Sequence, residues 1–205
     1  MPTPTPNEAT RRQFLAASLV LAGLVALPRR AQALTNAEAS QLINQVVGDI
    51  NRVINSGQSP SRMYAEFERI FGRYADVPII ARSALGVAAR SASPAQLRAF
   101  TDAFRGYMAR KYGKRFRDFT GAELKVQSTS PYKSFFEVKT TAFLPGQAPF
   151  DVTFLVSDKS GKNLFFNIFI EGVNMLATER TEIGAMLDKR RGNIDALISD
   201  LKRAG

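Results

Sequence analysis

The apolar residues of this chain change period once, near Gly121, and that change restricts the fold to one broad class. Before it, hydrophobic positions recur every three or four residues, as on one face of a helix; after it they recur every second residue, as on a strand. Thr35 and Glu38 offer a capped start for a helix reaching about Asn55, with Leu42, Ile43, Val46, Val47, Ile50, Val53 and Ile54 on one face. Ser59-Pro60 opens a second helix carrying Met63, Phe67, Ile70, Phe71 and Tyr74, and Asp76 with Pro78 opens a third running to about Ala89. Ser93-Pro94 begins the longest, expected to reach Phe119. Its stripe of Leu97, Phe100, Phe104, Met108, Tyr112, Phe116 and Phe119 steps by three or four residues throughout.

Beyond Gly121 the pattern predicts strands at Leu124–Val126, Phe136–Ala142, Phe150–Val156 and Leu164–Ile170, punctuated at Ser130-Pro131, Pro145-Gly146 and Ser160-Gly161. Consecutive strands joined by short turns favour an antiparallel meander. The last strand is apolar on both faces except at Asn167, so it needs cover on both sides. Two helices close the chain, the first through Leu176, Ile183, Met186 and Leu187, the second through Ile194, Leu197, Ile198 and Leu201. The fold class is α+β: helices first, a four-stranded antiparallel sheet, then closing helices.

The N-terminus reads as a leader. Thr10-Arg11-Arg12-Gln13-Phe14-Leu15, an apolar run to Leu27 and Ala31-Gln32-Ala33 match a twin-arginine signal peptide over residues 1–33. The run is too short for a comfortable membrane span. A single domain over residues 34–205, working in a bacterial periplasm, is the expectation. Taking Arg11, Arg12, Arg29, Arg30 and Glu8 from a chain of net charge +10 leaves +7, a surplus that suits an anionic partner such as a membrane surface. Nucleic acid fits the charge but not the compartment.

Two absences narrow the chemistry. The chain has no cysteine and no histidine, which removes thiol catalysis, Ser-His triads and His-ligated metals together. No P-loop or metal-ligand spacing occurs either. No cofactor, no metal and no catalytic residue is expected.

Leu85-Gly86, Ala92-Ser93-Pro94-Ala95-Gln96, Phe100, Phe104 and Tyr112, followed by Ile168-Phe169-Ile170-Glu171-Gly172-Val173 and Arg180, occur in an order that resembles the MlaC or toluene-tolerance family of periplasmic phospholipid carriers. The resemblance covers nearly all of residues 34–205. It implies helices and a curved sheet enclosing a deep apolar cavity. It also implies passage of lipid between an outer-membrane lipoprotein complex and an inner-membrane ABC transporter, by a protein expected to act as a monomer. Some relatives are associated with hopanoids, so cargo identity does not carry over. The chain departs from the family pattern at Asn163, Asn167, Asn174 and Thr178-Glu179, where the family usually has an aromatic, Asp, Ser and Asn-Tyr.

The candidate cavity wall is Phe100, Phe104, Met108, Tyr112 and Phe116 from the long helix with Phe136, Val138, Phe150, Val152, Phe154, Phe166, Ile168 and Ile170 from the strands. Solid core is the alternative for every one of them. Lys111 and Arg115 either snorkel past the core or meet a lipid phosphate at the cavity mouth. Lys189-Arg190-Arg191 reads as a solvated helix end, and Glu171-Gly172 as a corner whose carboxylate caps the next helix.

Energetics explain why such a protein needs no catalytic group. Two acyl chains expose about 30 methylenes at ~0.8 kcal/mol each, roughly 24 kcal/mol, if they cross water unaided. A greasy sheath removes most of that cost. The rivals are a small cone-shaped enzyme using Glu137 or Asp151 with a tyrosine, and a ligand-free adaptor burying its last strand against a partner.

Overall fold

The computed structural model describes residues 33–114 and 119–204. Residues 1–32 of the predicted leader, Arg115 and Phe116 lie outside the described residues, and the described residues form one compact unit. Its helices are α1 (Asn36–Ile54), α2 (Pro60–Tyr74), α3 (Val77–Leu85) running into a 3-10 turn (Gly86–Arg90), and α4 (Pro94–Gly113). Strands β1 (Glu123–Tyr132), β2 (Phe135–Phe143), β3 (Phe150–Ser157), β4 (Leu164–Ile170) and β5 (Val173–Asn174) follow, then α5 (Met175–Lys189) and α6 (Ile194–Arg203). The sheet is an antiparallel meander in the order β1-β2-β3-β4-β5. It thus gains a two-residue fifth strand over the four expected.

Side-chain caps account for the helix starts. Thr35 and Glu38 form a reciprocal capping box on α1, and Ser93 with Gln96 forms another on α4. Asp76, Asn174 and Asn193 cap α3, α5 and α6. Glu171 does not cap α5. Glu171 and Gly172 have φ of 50° and 75°, the pair of left-handed residues that a tight β-hairpin turn requires. The Glu171 carboxylate instead accepts the Asp151 N–H at 2.5 Å.

Ser130-Pro131 lies inside β1 rather than ending it. β1 is an edge strand, where a proline lacking its N–H is tolerated. Two asparagines dock α1 onto the start of this strand: Asn51 exchanges both hydrogen bonds with the Leu124 backbone (3.1 and 3.0 Å), and Asn55 bonds the Ala122 carbonyl and Gly121 N–H.

The β3–β4 register slips between Leu155 and Val156, so that Leu155 faces Asn167 and Val156 faces Phe165. Phe166 is the extra residue of a β-bulge. Strict alternation places Phe166 on the same face as Ile168 and Ile170; the bulge puts Phe165 there instead.

Candidate functional site: an apolar cavity between helices and sheet

A half-enclosed cavity of about 470 Å³ lies between α1, α2 and α4 on one side and β1–β4 on the other. The helices supply Val46, Ile50, Ile54, Phe67, Ile70, Phe71, Met108, Ala109 and Tyr112; the sheet side supplies Leu124, Ala142, Leu144, Phe150, Val152, Phe154, Phe165, Ile168 and Ile170. Val173 and Met175 complete the wall where β5 passes into α5, and Val173 is 55 % exposed, marking the rim. The lining is almost wholly hydrocarbon and aromatic.

The stripe on α4 divides along its length. Phe100 and Phe104 are fully buried, their rings stacked 5.8 Å apart in solid core, and neither lines the cavity. Met108 and Tyr112, two turns further on, do line it. The sheet divides in the same way. Phe150, Val152, Phe154, Ile168 and Ile170 face the cavity; Val138 is buried in the core next to it, and Phe136 packs against that core. Phe166 lies on the opposite face, edge-on to Phe135 at 5.3 Å. The contributions of α1 and α2 were visible in the sequence only as ordinary amphipathic stripes, because a cavity wall and a core face share one helical period.

Behind the cavity wall is a polar cluster. Lys111 Nζ contacts Glu179 Oε1 at 2.7 Å and Glu182 Oε2 at 2.5 Å, and lies 5.4 and 5.5 Å from the ring centroids of Tyr107 and Tyr112. The Tyr112 hydroxyl donates to Glu179 Oε1, and the Tyr107 hydroxyl to Glu182 Oε1 at 2.5 Å. Glu179 is 1 % exposed, and its Oε2 has no hydrogen-bond partner among the described residues. Burial works to lower the Lys111 pKa, but the two carboxylates outweigh it and hold the ammonium above the ordinary lysine value. Burial similarly pushes Glu182 up, and its bonds to Lys111 and Tyr107 bring it below the usual carboxylate value. Burial, reinforced by the acceptor carboxylates, raises both tyrosines. Lys111 is therefore a cation already matched by two anions. Sequence reasoning missed Glu179 as a partner because 68 residues separate it from Lys111.

Two positions at which the chain departs from the family pattern turn out to be neighbours. Asn167 Nδ2 donates to Asn174 Oδ1 at 3.0 Å, while Asn167 Oδ1 accepts the N–H of Leu176 at 3.2 Å. This pair fixes the start of α5 against β4, and with it Met175 at the cavity rim. Arg190 makes a bidentate pair with Asp200 at 2.6 and 2.8 Å, so part of the basic run at the end of α5 ties α5 to α6.

Fold and site together define a small α+β domain that keeps an apolar ligand-sized space between its helices and its sheet. The chain belongs to the MlaC protein family, whose model matches residues 40–203. Among solved structures it is similar to the phospholipid-binding protein from Ralstonia solanacearum, determined in complex with a phospholipid. The two share 17 % identity over 80 % of this chain and 95 % of that one, with a TM-score of 0.69. That likeness shows the same fold.

Proposed function

We propose that this protein is a periplasmic carrier that holds phospholipid acyl chains in the cavity and passes lipid between the two membranes. The observation that carries the reading is the hollow interior itself. Protein cores are normally packed like organic crystals, with voids rarely larger than a water molecule, whereas this one leaves about 470 Å³ of apolar space. A dry void of ~150 Å³ accommodates one benzene ring, so the cavity has room for roughly eighteen carbons, about one long acyl chain. A second chain would need the rim to open. Membership of the MlaC family and the phospholipid in the similar Ralstonia protein support the choice of ligand.

The chemistry required is solvation, not bond breaking. Methylenes leaving a bilayer meet Met108, Phe150, Val152, Ile168 and Ile170 instead of water, so the transfer avoids most of the ~0.8 kcal/mol that each exposed methylene costs. No helix among the described residues is long and apolar enough to cross a membrane. With residues 1–33 acting as an export leader, the carrier would shuttle between an outer-membrane lipoprotein complex and an inner-membrane ABC transporter. Docking to either favours an open form over a closed one and so loads or unloads the cavity.

Native mass spectrometry of protein purified without detergent tests this directly. A bound mass that matches phospholipid is the expected result. Protein that arrives empty, and takes up no labelled phospholipid from vesicles, would overturn it.

A further inference from the structure

Gly86 and Arg180, far apart in the sequence, meet where α3 packs against α5. Gly86 ends α3 with φ of 65°, a conformation that side chains on an L residue disfavour. A β-carbon there would stand 3.3 Å from Arg180 Nε and 3.7 Å from Nη2, so the guanidinium lies close across bare backbone. Its fork is rich in hydrogen-bond donors, yet it makes no hydrogen bond or ion pair among the described residues. Elsewhere Arg52, Arg69, Arg105, Arg190 and Arg203 each meet a carboxylate. Arg82, Arg90 and Arg180, all exposed, meet none among the described residues.

The surface around these cations is aliphatic and has no counter-charge of its own. Val87 is 70 % exposed, the highest value for any large hydrophobic side chain among the described residues, and Ile79 is 46 % exposed. The chain carries no acidic residue between Asp76, the buried cap of α3, and Asp102. On α5, Glu179 and Glu182 are engaged by Lys111. Protein interfaces are enriched in arginine and depleted in lysine, and the arginine fork matches a carboxylate with two bonds at once. A surface that rests on a bilayer draws on tyrosine or tryptophan at headgroup level. This patch has no aromatic side chain and no lysine, so its chemistry favours a protein.

We infer that Ile79, Arg82, Val87, Arg90 and Arg180 form the docking face for an acidic protein surface, on the membrane complexes that load or unload the cavity. The inference rests on the carrier reading above and adds where the carrier is gripped. Carboxylates of the partner pair with the arginine forks, while Val87 and Ile79 enter an apolar area between them. Arg180 stands about 7.5 Å along α5 from Met175 at the cavity rim. A partner seated here is held beside the opening, on residues that do not line it.

The test reads docking and lipid uptake separately. Lipid-loaded protein is titrated against the purified transporter and the purified lipoprotein complex of the same cell, each in nanodiscs of neutral phosphatidylcholine. Binding to at least one of them, weakening as salt is raised, is expected. Arg180→Glu should weaken it about tenfold, and Val87→Ser severalfold. Arg62→Glu, an equal change of charge at an exposed position of α2 outside the patch, should leave it nearly unchanged. Phospholipid uptake from vesicles should be the same for all of these proteins, since none of the three residues lines the cavity. Equal losses in Arg62→Glu and Arg180→Glu would show that net charge alone acts, and would overturn the docking face. No binding to either complex overturns it too, and capture on empty phosphatidylglycerol nanodiscs would then assign the patch to a lipid surface. Unaltered protein that takes up no phospholipid defeats the carrier reading. Normal uptake, with docking untouched in Arg180→Glu and Val87→Ser, defeats the docking face alone.

Discussion

Asn167 on β4 and Asn174 at the start of α5 form a single polar hinge. The amide of the first donates to the side-chain oxygen of the second at 3.0 Å, and that same oxygen caps α5 by accepting the Ala177 N–H, also at 3.0 Å. Each asparagine depends on the identity of the other. Asn167→Asp would set a carboxylate against the Asn174 oxygen, two acceptors with no proton between them, and Asn174 cannot flip without losing its cap. The expected loss is about 1–3 kcal/mol. Asn174→Ser restores a donor, because a hydroxyl gives its proton to Asp while its oxygen still caps the helix. Urea titration of the four proteins in a double-mutant cycle should therefore show a favourable coupling of ~1 kcal/mol or more. Additive losses would show that the two side chains act independently.

Cavity and core predict opposite outcomes for substitutions on neighbouring elements. Ala142 faces the cavity and Phe104 the solid core. Ala142→Phe places a ring in existing space, so the unfolding midpoint should change little while phospholipid uptake drops about tenfold. Phe104→Ala should cost about 3–5 kcal/mol by opening a void elsewhere, with the folded fraction still taking up lipid. Uptake that follows stability in both variants would contradict this division.

Much of the architecture could be read from the chain. The period change near Gly121, the caps at Thr35, Asp76 and Ser93 and the alternation in β2 and β3 locate their elements closely, because each depends on local chemistry. The site was less legible, for two physical reasons. A stripe of apolar residues reports that a face is buried, not whether protein or empty space lies against it; Phe100 and Met108 occupy the same stripe and differ in what they touch. And a bulge has no reliable sequence signature, so period-two counting holds at Ile168 and Ile170 and fails at Phe166. Long-range polar pairs such as Lys111 with Glu179 leave no local trace at all.

Stability should be nearly independent of pH across the neutral range. There is no histidine, and the shifted groups titrate at the extremes. Glu182 is depressed below 4.5, so its contribution is present above that value and is lost as acid protonates it in the folded state. Lys111 is raised above 10.5, and Tyr107 and Tyr112 above 10.0; their contribution is complete below those values and disappears as alkali removes the protons. Urea midpoints measured across pH should form a plateau from about pH 6 to 9 with losses on both sides. Lys111→Met should remove Lys111's share of the alkaline loss and leave the buried Glu179 and the exposed Glu182 without their cation. A step between pH 6 and 8 would contradict the assignment.

The bulge can be tested in a chain that contains no tryptophan. In a regular strand, residues 166, 168 and 170 share a face. Here Ile170 lines the cavity, while Phe166 lies against Phe135 on the other side of the sheet. Single tryptophans introduced as Ile170→Trp and Phe166→Trp then become depth gauges with no other tryptophan emission. On loading with a phospholipid brominated along its acyl chain, fluorescence from position 170 should be strongly quenched, and that from position 166 should change little. The half-buried, partly aromatic setting of Phe166 makes the substitution there a mild one. Matching quenching at both positions would mean that β4 runs without its bulge when lipid is bound, and that Phe166 rather than Phe165 belongs to the cavity wall.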